Sequence, residues 1–245
     1  MEYGKHRHRL MDEQKTKAPK RALMYSCPRQ SGKSTSTAMF CASMMDIGRS
    51  VSMVCMANSQ ATTTQMMRDV VKLLLTVSGN EDGKRILKNN EKIVCIARPD
   101  ADMSLSKEQL INSGCFNIFR ACSSNADSTR GVRFNFLLVD EAEFTPKKII
   151  EELAGAALNR ANSVFIALST AKNGTVPSWF SKFMLSDDPM VEQYIHRLRI
   201  EYLCEECKVK NMDRCPHNEW LQPDHNTSNG GGLARVIIGN ERTYN

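Results

Sequence analysis

The 245-residue sequence has no uninterrupted apolar run of 18 residues, so no membrane-spanning helix and no membrane partner are expected. No apolar segment follows its polar, basic start, so no secretory signal is expected either. Its nine cysteines are odd in number and scattered through apolar runs such as "MVCMA" and "IVCIA". That pattern argues against a disulfide framework and for buried thiols in a reducing, intracellular compartment. Internal repeats are lacking. What is present, 41% hydrophobic and 24% charged residues, suits a globular protein long enough for one large domain with a small appendage.

The net charge of +6 is unevenly spread. Residues 1–21 hold seven Lys or Arg against Glu2, Asp12 and Glu13, which is most of the excess. An arm such as "GKHRHR" suits a nucleic-acid contact or a nuclear address, and equally a solvated tail. The reading is a basic flexible arm over 1–21, a main domain over 22–190, and a C-terminal extension over 191–245.

Apolar periodicity predicts alternating strands and helices. "ALMYSC", "VSMVCMA", Ile93 to Ile96, Phe116 to Cys122, "FNFLLVD" and "VFIALST" read as strands, being short apolar runs between turn residues. Residues 34–48 read as a helix with Met39, Phe40, Ser43 and Met44 on one face and Gly48 closing it. Residues 59–79 read as a second helix with Met66, Val70, Leu73 and Leu74 inward, and 146–159 as a third, opened by Pro146. "VEQYIHRLRIEYLC" reads as a partly exposed strand. The fold class is α/β, a mostly parallel sheet flanked by helices, with sites at the strands' C-terminal ends.

"CPRQSGKST", residues 27–35, is a phosphate-binding loop lacking its first glycine, whose place Cys27 takes. Such a loop aims backbone N–H groups at phosphate oxygens from a helix N-terminus, where the dipole also favours an anion. Pro28, Arg29, Gln30, Ser31, Gly32, Lys33, Ser34 and Thr35 are the candidate ATP-binding residues. Lys33 supplies the charge for the β- and γ-phosphates and Ser34 a hydroxyl for Mg²⁺. Its setting, between an apolar strand and a helix, distinguishes it from a chance G-K-S.

"FNFLLVDEAEF" supplies the complementary acids: an apolar strand, then Asp140 for Mg²⁺ and Glu141 to polarise the attacking water, with Glu143 a third acid behind them. Phosphoryl transfer also calls for an arginine. Arg29 in the loop and Arg130 in "STRGVRF" are the candidates, and each suits a surface position or a DNA phosphate equally. Ser169 and Thr170, ending the next strand, are candidates for sensing hydrolysis and coupling it onward, or form a plain polar strand end.

"PRQSGKS", "SSNADSTRGVRFNFLLVDEAEF" and "ALSTAKNG", in that order, resemble the ATPase domain of the large subunit of viral DNA-packaging terminases, most closely the herpesvirus type. The resemblance implies an additional-strand P-loop NTPase fold and a homo-oligomeric ring that pumps double-stranded DNA into a capsid, with the small terminase subunit and the capsid portal as partners. For the herpesvirus type it implies the host nucleus. In that family an arginine-bearing loop without the first glycine is normal. Lys33 and Ser34 match the phosphate and Mg²⁺ positions, Asp140 and Glu141 the paired acids, Arg29 the loop arginine, and Ser169 and Thr170 the coupling motif. Family members continue into a nuclease domain whose clustered carboxylates find no match here, so nuclease activity is not assigned. "DEAE" also resembles a helicase box, which makes a superfamily 2 helicase fragment the alternative; a non-catalytic nucleotide- or nucleic-acid-binding assembly module is another.

"CEECKVKNMDRCPH" brings together Cys204, Cys207, Cys215 and His217, with His225 as a spare. Three thiolates and an imidazole suit tetrahedral Zn²⁺ in a small structural C-terminal lobe, with reduced surface thiols as the alternative.

Overall fold

The computed structural model describes residues 21–27, 32–76, 80, 82–123, 133–158, 163–170, 178–203, 233–238 and 241–244. Among the described residues ten strands form one sheet: β1 (Ala22–Ser26), β2 (Ser52–Ala57), β3 (Ile86–Asn89), β4 (Ile93–Ala97), β5 (Phe116–Ser123), β6 (Phe136–Val139), β7 (Val164–Ser169), β8 (Ile195–Leu203), β9 (Leu233–Ile238) and β10 (Glu241–Tyr244). Their order is β10-β9-β8-β1-β7-β6-β2-β5-β4-β3. The six central strands, β8 to β5, run parallel, and antiparallel pairs finish both edges. Around it lie helices α1 (Lys33–Ile47), α2 (Gln60–Thr76), α3 (Lys107–Asn112), α4 (Lys147–Leu158), α5 (Trp179–Met184) and α6 (Pro189–Tyr194).

The inner parallel strands β2, β6 and β7 are almost wholly apolar and buried because both faces of the sheet are covered there. Along β2, Met53 and Cys55 join a core with Ala38, Cys41 and Met45 of α1 and Met66, Val70 and Leu74 of α2. Val54 and Met56 face the other way, into a second core with Leu137, Val139, Phe165, Ile150, Trp179 and Phe180. Period two in the strands thus feeds two cores of one sheet.

The expected strands and the three expected helices are present, with two corrections. The buried face of α1 is Thr37, Ala38, Cys41, Ala42 and Met45, while Met39 and Phe40 are exposed. Methionine and cysteine all round this helix leave little amphipathic contrast, and the small side chains of Ala38, Cys41 and Ala42 take the sheet side. A second correction lies at "VEQYIHRLRIEYLC". Pro189 sits at the first position of a helix, a place its missing N–H favours, so Val191 to Tyr194 are helical and the strand starts at Ile195. That strand pairs in parallel with β1.

An amide locks the end of α1. Buried Asn117 accepts the Val51 N–H at 2.8 Å and donates to the carbonyls of Met45 at 2.9 Å and Gly48 at 2.7 Å. The turn needs Gly48 for space rather than dihedral freedom. A Cβ there would lie 2.3 Å from Val51 Cγ2 and 2.4 Å from the Met44 carbonyl oxygen.

Candidate active site at the C-terminal edge of the sheet

β7 lies between β1, which leads into the phosphate-binding loop, and β6, which leads into the acids. This is the additional strand that the sequence resemblance implied. The parallel register brings Ser26 of β1 level with Ser169 of β7, and Val139 of β6 level with Ala167. The three strand ends therefore meet along one edge, and the Cys27 N–H donates to the Ser169 carbonyl at 3.1 Å.

Gly32 precedes α1 with φ +78°, a left-handed conformation that glycine adopts without steric cost. No acid occupies the first turn of α1, so nothing there opposes the positive end of the helix dipole. Lys33 begins the helix and reaches across β7: its Nζ lies 3.2 Å from Asp140 Oδ1. Both groups are secluded, with 12% and 2% of their side-chain surface exposed. Ser34 and Thr35, on the same first turn, are exposed.

Asp140 ends the acid strand, its N–H bonded to the Met56 carbonyl of β2 at 2.8 Å. Glu141 then turns into a left-handed conformation, φ 54° and ψ 40°, and caps a 3-10 turn over Ala142–Phe144. A side-chain-bearing residue pays about 1–2 kcal/mol for that conformation, and here it is held from both sides. The Glu141 N–H donates to Asp140 Oδ1 at 2.9 Å, and its carbonyl accepts the Phe144 N–H at 2.9 Å and the Thr145 hydroxyl at 3.5 Å. Strain so retained beside paired acids is characteristic of a working site.

Buried Ser169 accepts the Glu143 N–H on its Oγ at 3.0 Å, and that Oγ lies 3.4 Å from the Thr170 carbonyl. Thr170 itself is partly buried at the strand's end. The Glu143 carboxylate accepts hydrogen bonds from the hydroxyls of Ser178, which caps α5, at 2.6 Å and of Ser181, within α5, at 2.8 Å. Trp179 Nε1 adds a bond to the Thr145 carbonyl at 2.9 Å. Nothing in the sequence, beyond a third acid after Asp140 and Glu141, signals this link.

The structure thus brings Gly32, Lys33, Ser34, Thr35, Asp140, Glu141, Ser169 and Thr170 to one edge of the sheet. Pro28, Arg29, Gln30, Ser31 and Arg130 lie outside the described residues, as do Cys204, Cys207, Cys215, His217 and His225. Among the described residues no group of three or more His, Cys, Asp or Glu gathers as a metal site. Magnesium asks for less, usually one or two carboxylates completed by phosphate and water oxygens, and the Asp140 carboxylate with the Ser34 hydroxyl fits that donor chemistry.

Residues 24–180, more than half of the chain, match the family model described as "Terminase large subunit, T4likevirus-type, N-terminal". No curated protein matches. Among solved structures the fold is similar to the large terminase ATPase domain of Thermus phage P74-26, at 18% identity and a TM-score of 0.56, covering 69% of this chain and 65% of that one. It is similar to the HK97 bacteriophage large terminase at 16% identity and a TM-score of 0.55, covering 71% and 34%. A third, the large terminase of a thermophilic bacteriophage, gives 12%, 0.51, and 80% against 45%. The chain therefore spans about a third to a half of those two large terminases. The matched model is of the T4-like type, where the sequence had suggested the herpesvirus type.

Proposed function

This chain belongs to the terminase large-subunit family, in its N-terminal ATPase part, and on that premise we propose that it is a motor domain that hydrolyses Mg-ATP to drive double-stranded DNA into a capsid. The observation that carries the reading is the Lys33–Asp140 pair beneath the N-terminus of α1. When nucleotide arrives, the first-turn N–H groups of α1 donate to phosphate oxygens and the Lys33 ammonium moves from Asp140 to the β- and γ-phosphates. The Asp140 carboxylate so released, together with the Ser34 hydroxyl, would hold Mg²⁺, whose charge offsets that developing on the phosphates. Glu141 orients a water and accepts its proton. Arg29 or Arg130 supplies the further positive charge at the transition state, in cis or from a neighbour.

The wider reading extends from the family. It includes a homo-oligomeric ring, the small terminase subunit and the portal as partners, and Ser169 and Thr170 as coupling residues. The division into arm, ATPase domain and a Zn²⁺-bound lobe at Cys204, Cys207, Cys215 and His217 belongs to the same proposal. So does a herpesvirus-type lineage acting in the host nucleus, which rests on the spelling of "PRQSGKS" and "SSNADSTRGVRF".

The test is ATP turnover by the full chain with Mg²⁺ and long duplex DNA. Wild type should hydrolyse ATP, and Glu141→Gln should bind it and leave it intact. Absence of turnover in wild type under those conditions, or Glu141→Gln working at the wild-type rate, would overturn the reading.

A further inference from the structure

We propose that Glu143 is a positioning residue that fixes Glu141 and carries the state of the nucleotide site to helix α5, an inference that rests on the ATPase reading above. Glu143 stands at the centre of a relay. Its backbone N–H holds Ser169 Oγ, at the end of the strand whose carbonyl already accepts the Cys27 N–H at the start of the phosphate-binding loop. Its carboxylate holds the hydroxyls of Ser178 and Ser181. Ser178 in turn caps α5, accepting the Ser181 N–H at 3.1 Å. One residue thus joins the end of β7, the 3-10 turn behind the acids, and the first turn of a helix on the far side of that turn.

Two physical consequences follow. First, Glu141 keeps a strained backbone only while the Ala142–Phe144 turn is held, and Glu143 is the middle residue of that turn. The hydroxyls of Ser178 and Ser181 both donate to one oxygen of Glu143, Oε2, so this side chain ties the turn to the start of α5 at two points. Second, Ser169 sits between loop and acids, and any displacement of its hydroxyl moves the Glu143 amide bonded to it. The Glu143 carboxylate then moves the cap of α5. Trp179, packed at 5.9 Å on Phe180 and bonded to the Thr145 carbonyl, makes the start of α5 and the turn travel together. Glu143 contacts none of the phosphate-binding residues described, so its removal should change turnover rather than substrate affinity.

The experiment compares wild type, Glu143→Ala, Glu143→Gln and the double variant Ser178→Ala with Ser181→Ala, all as full chains. ATP turnover with duplex DNA and Mg-ATP binding are measured together with amide hydrogen exchange. Glu143→Ala should lower kcat at least about tenfold with KM within about twofold, and Glu143→Gln, which keeps an acceptor oxygen, should recover most of the loss. Mg-ATP should alter amide exchange over residues 178–185 in wild type, and the change should vanish in Glu143→Ala and in the double serine variant. Wild-type kcat in Glu143→Ala, equal losses in the Ala and Gln variants, or a nucleotide-dependent change at 178–185 that survives in Glu143→Ala would overturn the proposal. A wild type that turns over ATP without any exchange change at α5 overturns the relay and leaves the ATPase reading standing. A wild type that binds no Mg-ATP overturns the ATPase reading itself, and the relay with it.

Discussion

Lys33 and Asp140 form a 3.2 Å ion pair although the strands that lead to them are not neighbours: β7 lies between. The pair is an internal substitute for the ligands each would meet in a nucleotide complex, an anion for the lysine and a cation for the carboxylate. With both groups nearly buried, neither can lose its partner without replacement.

Asp140→Ala should therefore cost stability and function separately. It strands the Lys33 ammonium, and the loss of a buried partner should lower unfolding free energy by about 3 kcal/mol. In the folded variant, nucleotide affinity should no longer respond to Mg²⁺. Urea denaturation and nucleotide titrations with and without Mg²⁺ check both.

Asn117→Ala should be among the most destabilising single changes distant from the site. It leaves one N–H and two carbonyls at the end of α1 without their partner, at about 1–3 kcal/mol for a stranded group. A loss of about 3 kcal/mol in urea denaturation is expected. In folded protein, Mg-ATP affinity should stay within about threefold of wild type.

Gly48→Ala tests the same turn through volume. The added methyl would meet Val51 Cγ2 and the Met44 carbonyl at distances no real contact tolerates, and one of the two is backbone. About 2 kcal/mol or more should be lost by calorimetry or denaturant. Alanine otherwise favours helices, so a stabilised variant would contradict the packing described.

Alkali should destabilise the fold through two thiols. Burial pushes Cys41 up to about 12 from an ordinary value of 9.0, and pushes Cys55 well above that value. Below pH 9 both are protonated whether the chain is folded or not, and they contribute no pH dependence. Above it the unfolded chain releases protons that the native state retains, so stability falls as pH rises from about 9 toward 12, by about 1.4 kcal/mol per pH unit per thiol. Urea midpoints at pH 8, 9 and 10 check the slope, and native Cys41 and Cys55 should resist alkylation at pH 8.

The parallel strands were legible because burial on both faces leaves uninterrupted apolar runs, and the acids stood out because "FLLV" ends abruptly in "DE". The inward face of α1 was not, since Met39, Phe40, Met44 and Met45 surround the helix and only the sheet decides which are covered. Pro189 marked a helix start that the alternation of the residues after it concealed. The links from Glu143 to Ser178 and Ser181 join residues 35 and 38 positions apart, and no local pattern encodes such a contact. Buried Arg197 in β8 shows the same limit: the strand reads as half-exposed, yet its arginine is turned inward, donating to the Ser186 carbonyl.

The most direct measurement is calorimetric titration of Mg-ATP into the wild-type chain and into Lys33→Met, which replaces the ammonium with an apolar side chain of similar length. Wild type should bind with a clear saturating heat, and Lys33→Met, still folded by circular dichroism, should bind at least about a hundredfold more weakly, since a charge-assisted contact to phosphate is lost. Equal affinity in the two proteins would contradict the assignment of this edge of the sheet as the nucleotide site.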